Sequence, residues 1–287
     1  MFLGVLCVLR GGEALIDLSI IIVSYNARAD LERCLESLHS PAPAIRHEIV
    51  VVDNQSADGS AAAATRWPGV KVIDAGSNLG FARANNIGIR ASTGTSLLLL
   101  NSDTIVPPGA IDRLVAALAR HPEAAVIGPR LVDGSGRAEL SFGPMLGPLS
   151  ELRQKLLFRG QVNGLPVLSE IVERATRRPH APAWVTGACL LVRRRDAEAV
   201  GLLDERYFMY TEDVDFCAAI RARGRKILFT PDVEIVHLRG RSAASAPAET
   251  RRAYRHSQLA FYEKHHPGWA PLLRLYLRLC GFQHKGH

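Results

Sequence analysis

The feature that most constrains the fold of this chain is a regular alternation of strand and helix patterns over its first 130 residues. The segments 18–24, 48–53 and 95–103 are apolar runs typical of strands that are buried on both faces. Shorter apolar runs at 70–74 and 124–129 predict two further strands. This alternation predicts an α/β fold with a mostly parallel central sheet, because right-handed crossovers place helices on both faces.

The segments between these strands have helical spacing. Helices are predicted at 29–39, 56–67, 81–92 and 107–122, the last opened by proline. In an open parallel sheet, ligands bind where the carboxyl ends of the strands meet. Asp53 and Asp103 both stand at such ends, so we expect a ligand site there.

Beyond residue 130 the pattern changes. The segment 130–183 is rich in glycine and proline, has one amphipathic piece at 149–158, and is expected to be irregular. Order resumes with strands predicted at 184–194, 226–231 and 233–240, a helix at 211–224, and two helical stretches within 249–281. We therefore divide the chain into an N-terminal tail at 1–17, an α/β domain at 18–245 and a helical extension at 246–287.

The charge of the chain narrows its partners without choosing one. Lys and Arg outnumber Asp and Glu to give a net charge of +7, which favours phosphorylated substrates, acidic lipids or nucleic acids. The basic residues are scattered and lack an aromatic-interleaved groove, which argues against nucleic acid.

Cysteine usage and hydropathy indicate the compartment. The 5 cysteines are widely spaced and form no CxxC pair, which argues against a disulfide framework or a zinc knuckle and favours a reducing cytoplasm. The apolar stretch at the N-terminus has neither a basic flank nor a cleavage site, so we interpret it as a tail and not as a signal peptide. No apolar run reaches the ~18 residues of a membrane-spanning helix.

Polar side chains at the ends of predicted strands are the first candidates for chemistry. Asp53 suits a nucleotide base or ribose, although Asp in this position also forms turns. Asp103, two residues after Asn101, suits Mg²⁺ or Mn²⁺ held together with substrate phosphates, although an Asp shortly before a Pro-Pro pair also fits a turn. His237 ends a strand and suits a metal or phosphate ligand, although a single histidine is often merely hydrogen-bonded.

Two helix starts supply further candidates. Gly80 permits a tight backbone before a predicted helix, where Arg83 could hold a diphosphate or simply lie on an exposed face. Thr211 is expected to cap the next such helix, with Glu212 and Asp213 in its first turn. There the helix dipole favours the ionised carboxylate that a general base needs, although ordinary helix-start chemistry explains the same residues.

Taken together, these segments resemble glycosyltransferase family 2, especially its rhamnosyltransferase-like branch. The matching segments, in chain order, are IIIVSYNARADLERCLESL, IVVVDNQSADGS, NLGFARANNIGI, LLLLNSDTIVPPGAIDRL, WVTGACLLVRR, FMYTEDVDFCAAIRARG and VHLRGRS. The resemblance implies a GT-A fold, with a nucleotide-sugar half at 18–130 and an acceptor half at 131–245.

The resemblance also implies roles for individual residues. Asp213 matches the catalytic base, and Asp103 and His237 match ligands of Mg²⁺ or Mn²⁺. Asn101 stands where the family usually has the first Asp of an Asp-x-Asp metal motif, so one carboxylate remains there. The implied substrate-binding residues are Ser24, Tyr25, Asn26, Asp53, Asn78, Gly80, Arg83, Asn86, Asn101, Ser102, Gly187, Glu212 and Arg241.

The expected activity is an inverting transfer of a sugar from dTDP-rhamnose or a UDP-sugar to a glycan or lipid-linked acceptor in cell-surface polysaccharide synthesis. Such a displacement needs a base and a stabilised leaving diphosphate but no enzyme nucleophile. The chain lacks the phosphate loop G-x-x-x-x-G-K-[ST] and has no G-x-G-x-x-G after its first strand. The alternatives are a nucleotide-sugar binding protein without transfer and a nucleotidyltransferase on a related sheet.

The helical extension at 246–287 combines Arg and Lys with Trp, Leu and Tyr. This composition fits a basic amphipathic helix lying on an anionic membrane, or a helix packed on the domain with its charges outward. Because the family resemblance implies lipid-linked acceptors on the cytoplasmic face, it favours peripheral attachment to the inner face of the cell membrane.

Overall fold

One central sheet organises the molecule. The computed structural model describes residues 16–162, 166–238, 247–280 and 282. Its strands are β1 (Leu18–Ser24), β2 (His47–Asp53), β3 (Val70–Asp74), β4 (Ser96–Asn101), β5 (Thr104–Ile105), β6 (Ala124–Val132), β7 (Phe142–Gly143), β8 (Trp184–Val185), β9 (Cys189–Arg193) and β10 (Lys226–His237).

Ten helices accompany these strands in the described residues. They are α1 (Arg28–His39), α2 (Ser60–Ala64), α3 (Phe81–Arg90), α4 (Ala110–Ala119), α5 (Pro148–Val162), α6 (Pro166–Ala175), α7 (Arg194–Ala199), α8 (Glu212–Ala222), α9 (Pro247–His265) and α10 (Ala270–Leu279). Most of the predicted N-terminal tail and the predicted site residue Arg241 lie outside the described residues.

The strand order of the sheet is β3-β2-β1-β4-β9-β6-β10-β5. β1 pairs in parallel with β2 and β4, and β2 pairs in parallel with β3, so the carboxyl ends of these strands meet at one edge. β6 and β10 are also parallel to each other. The sheet is therefore mostly parallel, as predicted. However, β9 lies between β4 and β6 and is antiparallel to both, which the apolar pattern did not reveal.

The two strands predicted at 226–231 and 233–240 are one strand, β10, and that prediction was wrong in its division. The register of β10 against β6 shifts between Thr230 and Glu234, around Pro231. Proline has no N–H to donate to a ladder and is tolerated at such an irregularity. At its end, β10 pairs with β5 so that His237 lies opposite Thr104, which brings the histidine to the loop after β4.

The expectation of an irregular segment at 130–183 was also wrong. Helices α5 and α6 occupy much of it, and β7 pairs with β8 in a second, two-stranded sheet. Two of the prolines that suggested irregularity, Pro148 and Pro166, stand at helix starts. Proline is tolerated in the first turn of a helix because the N–H that it lacks would have no helical partner there.

Apolar layers cover both faces of the sheet. On one face, Leu31 and Leu35 of α1 and Leu114 of α4 pack on the strands, and on the other face Ile89 of α3 and Phe216 of α8 do so. This explains why the strands are apolar throughout, since both of their faces are buried. The predicted boundary near residue 130 falls inside β6, and the sheet is continuous across it.

The helical extension packs on the domain through a third apolar cluster. Phe261 and Tyr262 of α9 and Ala270 of α10 contact Tyr207 and Val214, beside the start of α8. In the part of the chain that the structure describes, no helix has the length and hydropathy needed to cross a membrane.

Candidate functional site

The ends of β1 and β2 form the first part of the site. Ser24 and Asp53 lie opposite each other in the parallel ladder, and both are buried. Asp53 Oδ2 accepts a hydrogen bond from the Ser56 N–H at 2.9 Å, so one oxygen closes the following turn. Within the described residues, Asp53 Oδ1 and Ser24 Oγ are buried without a partner. Buried polar atoms are normally paired, so these two fit a ligand that supplies the missing hydrogen bonds.

The loop after β1 is tied to the loop after β2. Asn26 donates its backbone N–H to Ser56 Oγ at 3.0 Å, and its side-chain oxygen accepts the Ala57 N–H at 2.8 Å. The backbone of Asn26 has φ 49, a conformation that Asn tolerates better than most residues. Tyr25 is 43% exposed beside it. Asn26 thus shapes the loop, while the ring of Tyr25 is available to a ligand.

The turn before α3 connects the loop after β2 to the loop before α8. Asn78 Oδ1 accepts hydrogen bonds from Asn54 Nδ2 at 2.8 Å and from the Gly80 N–H at 3.2 Å. Gly80 has φ 82, and a Cβ there would collide with the carbonyl oxygen of Phe208. That same oxygen accepts the N–H of Phe81 at 2.6 Å. Only glycine therefore permits this close approach of the two loops.

Two residues of α3 were predicted to contact the nucleotide-sugar, and their side chains lie in different environments. Arg83 is exposed and pairs with Glu205 at 3.4 Å, so its guanidinium is accessible to an anion. The prediction that Asn86 contacts the nucleotide-sugar is corrected here, because the side chain of Asn86 is fully buried. Its amide donates to Leu203 O and accepts the Leu203 N–H at 3.1 Å, so it holds the 203–205 loop and does not face a ligand.

The loop after β4 and the end of β10 bring four polar side chains together. His237 Nε2 lies 3.3 Å from Asp103 Oδ1 and 3.5 Å from Asn101 Nδ2. On the other side of the ring, His237 Nδ1 lies 3.0 Å from Glu139 Oε2. Ser102 is buried between Asn101 and Asp103. The structure thus unites the predicted Asn101, Asp103 and His237 and adds Glu139, which the sequence analysis missed.

Charge balance in this cluster favours the protonated imidazole. Burial by itself lowers the pKa of His237, but hydrogen bonds and negative charge from Asp103 and Glu139 outweigh it and raise the pKa to about 9. Asp103 and Glu139 therefore favour positive charge at the position of this ring.

The donor set fits a divalent cation that also binds substrate phosphates. In the described residues, no three His, Cys, Asp or Glu side chains form a complete cation cage. Asp103 and His237 offer one carboxylate oxygen and one imidazole nitrogen on the same side of the cluster. Mg²⁺ and Mn²⁺ are commonly held by one or two protein carboxylates, with phosphates and waters completing the shell.

The start of α8 carries the candidate base. Asp213 Oδ2 accepts the Gly187 N–H at 2.9 Å, and Oδ1 accepts the Val214 N–H at 2.8 Å. Burial raises the pKa of Asp213, and these N–H donors lower it in part. Burial and the charge of Asp213 raise the pKa of Glu212 well above its usual value. Backbone N–H groups therefore favour the ionised form of Asp213, whereas burial and the charge of Asp213 both oppose ionisation of Glu212.

The prediction that the side chain of Thr211 caps this helix was wrong. Thr211 stands at the N-cap position, but its side chain makes no capping hydrogen bond and its backbone is left-handed, with φ 65. Within the described residues, Thr211 Oγ1 and Glu212 Oε2 are buried without partners. The carboxylate of Asp213 is instead held in place by backbone N–H groups.

Gly187 and Ala188 connect the candidate base to the candidate cation-binding cluster, which is formed by Asn101, Asp103, Glu139 and His237. A Cβ added to Gly187 would stand 3.6 Å from Asp213 Cβ and 3.2 Å from the ring of Phe81, so this glycine lies between α8 and α3. The next residue, Ala188, accepts the Asn101 N–H at 2.9 Å. Asp213, the start of α3 and the end of β4 are therefore neighbours at one edge of the sheet.

Relatives of known name share this architecture. The family model described as Glycosyl transferase family 2 matches residues 19–169. A protein of Mycobacterium tuberculosis named N-acetylglucosaminyl-diphospho-decaprenol L-rhamnosyltransferase is 32% identical over an alignment of 269 residues, which covers 89% of this chain and 87% of the relative. The hexosyltransferase Agl10 of low-salt glycan biosynthesis in Haloferax volcanii is 29% identical over 77% of this chain and 67% of its own length.

Solved structures agree on the fold. The mannosyltransferase PcManGT of Pyrobaculum calidifontis, solved with GDP-Man and Mn²⁺, has a TM-score of 0.61 at 19% identity and covers 91% of this chain and 69% of its own. GalNAc-T7, solved with UDP, GalNAc and Mn²⁺, has a TM-score of 0.59 at 20% identity, over 86% of this chain and 48% of its own. The fold is GT-A, and the chain belongs to glycosyl transferase family 2.

Proposed function

We propose that this glycosyltransferase catalyses an inverting transfer of a sugar from a nucleotide-sugar to a lipid-linked acceptor, with Asp213 as the general base. The observation that carries the proposal is the position of Asp213. Its carboxylate is held by the N–H groups of Gly187 and Val214, beside the residues that join it to the ends of the donor-side strands. A fixed carboxylate at this edge is what activation of an acceptor hydroxyl requires.

In the proposed reaction, Asp213 removes the proton from the acceptor hydroxyl as that oxygen attacks the anomeric carbon. The bond from this carbon to the diphosphate breaks at the same time, and a nucleoside diphosphate leaves. Because burial raises the pKa of Asp213, its carboxylate is a stronger base than an exposed one and accepts the proton more readily. A single displacement of this kind inverts the anomeric centre.

Asp103 and His237 are proposed to hold Mg²⁺ or Mn²⁺, which would neutralise charge on the leaving diphosphate. Arg83 is proposed to add positive charge to the same diphosphate, which is supported by its exposed guanidinium and its 3.4 Å pairing with Glu205. Release of Arg83 from Glu205 would let it bind the donor.

The donor's nucleoside is proposed to occupy the edge formed by Ser24, Asp53 and Tyr25. The unpartnered atoms Asp53 Oδ1 and Ser24 Oγ suit the polar edge of a base or ribose, and the exposed ring of Tyr25 suits its face. The name of the mycobacterial relative supports a rhamnosyl donor such as dTDP-rhamnose and an acceptor built on a polyprenyl diphosphate.

The helix α10 is proposed to dock on an anionic membrane surface, from which a lipid-linked acceptor would be taken. Its exposed apolar residues recur at helical spacing on one side, at Leu272, Leu275, Tyr276 and Leu279. On its other side, Leu277 is buried. No Asp or Glu follows Glu263 in the sequence, whereas Arg278 and Arg274, which pairs with Glu263, lie on this helix. A basic residue near anionic lipid contributes about 1 kcal/mol of attraction, and burial of apolar side chains in the interface adds to it.

The activity is tested by incubating the protein with Mn²⁺, a panel of nucleotide-sugars and a polyprenyl-diphosphate-linked N-acetylglucosamine. We expect release of a nucleoside diphosphate, and a product whose anomeric configuration, determined by NMR, is opposite to that of the donor. Release of inorganic diphosphate would instead indicate a nucleotidyltransferase, and donor binding without turnover would indicate a binding protein.

The membrane proposal is tested by sedimentation with vesicles of phosphatidylcholine with and without phosphatidylglycerol. The double variant Leu275→Ser, Leu279→Ser should bind anionic vesicles at least about tenfold more weakly than the wild type. A fully buried Leu contributes about 1.5–3 kcal/mol, so even partial burial of the two side chains exceeds the roughly 1.4 kcal/mol of a tenfold change. The matched control changes Val167 and Ile171, two exposed apolar residues of α6, to Ser. Equal binding of all three proteins, or a concentration-dependent dimer that the α10 variant abolishes, would contradict membrane docking.

A further inference from the structure

Glu139 is a buried carboxyl group that none of the sequence motifs marked. Its side chain is only 4% exposed, and its Oε2 lies 3.0 Å from His237 Nδ1. Burial of a carboxylate is costly unless it is paired, and the imidazole of His237 is one partner of this carboxylate.

The local backbone fixes Glu139 in that place. After β6 ends, Asp133 Oδ1 accepts the N–H groups of Ser135 at 2.8 Å and Arg137 at 3.1 Å, which closes a tight turn. The chain then returns along β6, where Ala138 bridges to Val132. The N–H of Glu139 donates to Leu131 O at 2.8 Å. Glu139 is therefore presented by a hydrogen-bonded turn, and not by a mobile loop.

The partner of Glu139 is held equally firmly. His237 ends β10, whose preceding residue, Val236, is in register with Val132 of β6. The two nitrogens of the ring consequently face different groups. Nδ1 faces Glu139, whereas Nε2 faces Asp103 and Asn101 at 3.3 and 3.5 Å.

This division has a chemical consequence. When a carboxylate accepts the N–H of one imidazole nitrogen, the ring is held in one orientation, and a cation that displaces the proton of the other nitrogen binds its lone pair. The carboxylate also makes the ring a better electron donor.

We propose that Glu139 is a positioning residue that holds the His237 ring with Nδ1 protonated, so that Nε2 is directed at a divalent cation shared with Asp103. The inference rests on the proposed cation-dependent transfer and adds to it a residue that contacts neither substrate nor cation.

The test compares Mn²⁺ affinity, measured by electron paramagnetic resonance in the presence of a nucleoside diphosphate, for the wild type and the variants Glu139→Gln and Glu139→Ala. We expect Glu139→Ala to weaken Mn²⁺ binding by about 10–100-fold. Glu139→Gln should lose less, because its amide oxygen can still accept the Nδ1 proton.

The matched control is Glu123→Gln. Glu123 pairs with His121 at 3.3 Å, but both side chains are exposed, and they lie at the opposite end of β6. This control should bind Mn²⁺ as the wild type does. Excess Mn²⁺ should restore the KM for the nucleotide-sugar in Glu139→Gln, which a merely structural defect would not allow.

Two results would overturn the inference, and only one of them also contradicts the proposed function. If both Glu139 variants melt cooperatively and bind Mn²⁺ as tightly as the wild type, Glu139 has no positioning role, while the proposed function stands. If the wild type itself binds no Mn²⁺, the cation-dependent part of the proposed function fails together with the inference. Should Glu139→Ala not fold, Glu139→Gln alone decides.

Discussion

Two groups of titratable side chains lie on either side of the Gly187–Ala188 dipeptide, and the charges of the two groups are stabilised in different ways. In the candidate cation-binding cluster, His237 lies between Asp103 and Glu139, whose hydrogen bonds and negative charges raise its pKa to about 9. At the start of α8, Glu212 and Asp213 have no cationic partner among the described side chains, and burial raises both pKa values.

The difference lies in what stabilises the charge. Side chains of opposite sign face each other in the first group. In the second group, backbone N–H groups donate to the carboxylate of Asp213, while burial and the charge of Asp213 raise the pKa of Glu212. The two groups are neighbours, but countercharged side chains are found only in the first of them within the described residues.

The largest expected effect is on the base. Asp213→Asn should lower kcat by about 10²–10⁴-fold, because the amide cannot accept the acceptor's proton. Donor affinity, measured by isothermal titration with the nucleotide-sugar, should remain within about twofold of the wild type. Asp232→Asn, at an exposed position of β10, serves as the control. Unchanged turnover of Asp213→Asn would show that Asp213 is not the general base, and the proposed difference between the two groups would fail.

The next effect is on the cation-binding cluster. Asp103→Ala should weaken Mn²⁺ binding by at least about 100-fold, since loss of a direct ligand is expected to cost more than loss of an outer-shell partner. The measurement is Mn²⁺ titration followed by electron paramagnetic resonance. Full activity of the wild type in the presence of a chelator would show that the cluster serves another purpose.

The smallest effect is on stability. Folding raises the pKa of Glu212 above the value of about 4.3 that Glu has in an unfolded chain. The contribution of Glu212 to stability is therefore complete below this pH and is lost as the pH rises above it. Glu212→Gln cannot ionise, so its free energy of unfolding relative to the wild type should increase with pH, by at most about 1.4 kcal/mol per unit. Urea unfolding at several pH values measures this difference. Parallel profiles would mean that Glu212 is not protonated by burial.

Much of this comparison was accessible from the sequence. The strand patterns at 18–24, 48–53 and 95–103 correspond to β1, β2 and β4, and the residues after them lie at the expected edge. Asp103 and His237, predicted as cation ligands, are neighbours in the structure. Their roles in binding stay predictions, as does the role of Asp213 in catalysis.

Other features were hidden for identifiable reasons. Asn86 has the polarity of a ligand-binding residue, but its amide pairs with a backbone 117 residues away. The antiparallel direction of β9 leaves no trace in its apolar pattern, because a strand buried on both faces looks the same in either direction. Glu139 stands in a Gly-rich turn, where no periodicity indicates which side chains point inward.

By itself, the sequence determined which segments become strands and helices, and which polar residues end the strands, because these properties depend on periodicity over a few neighbouring residues. Only the tertiary structure decided that β9 separates β4 from β6 and that Glu139 meets His237 across 98 residues of chain. The physical reason is that such contacts depend on strand order, register and packing between distant segments, which a local pattern of apolar and polar residues does not specify.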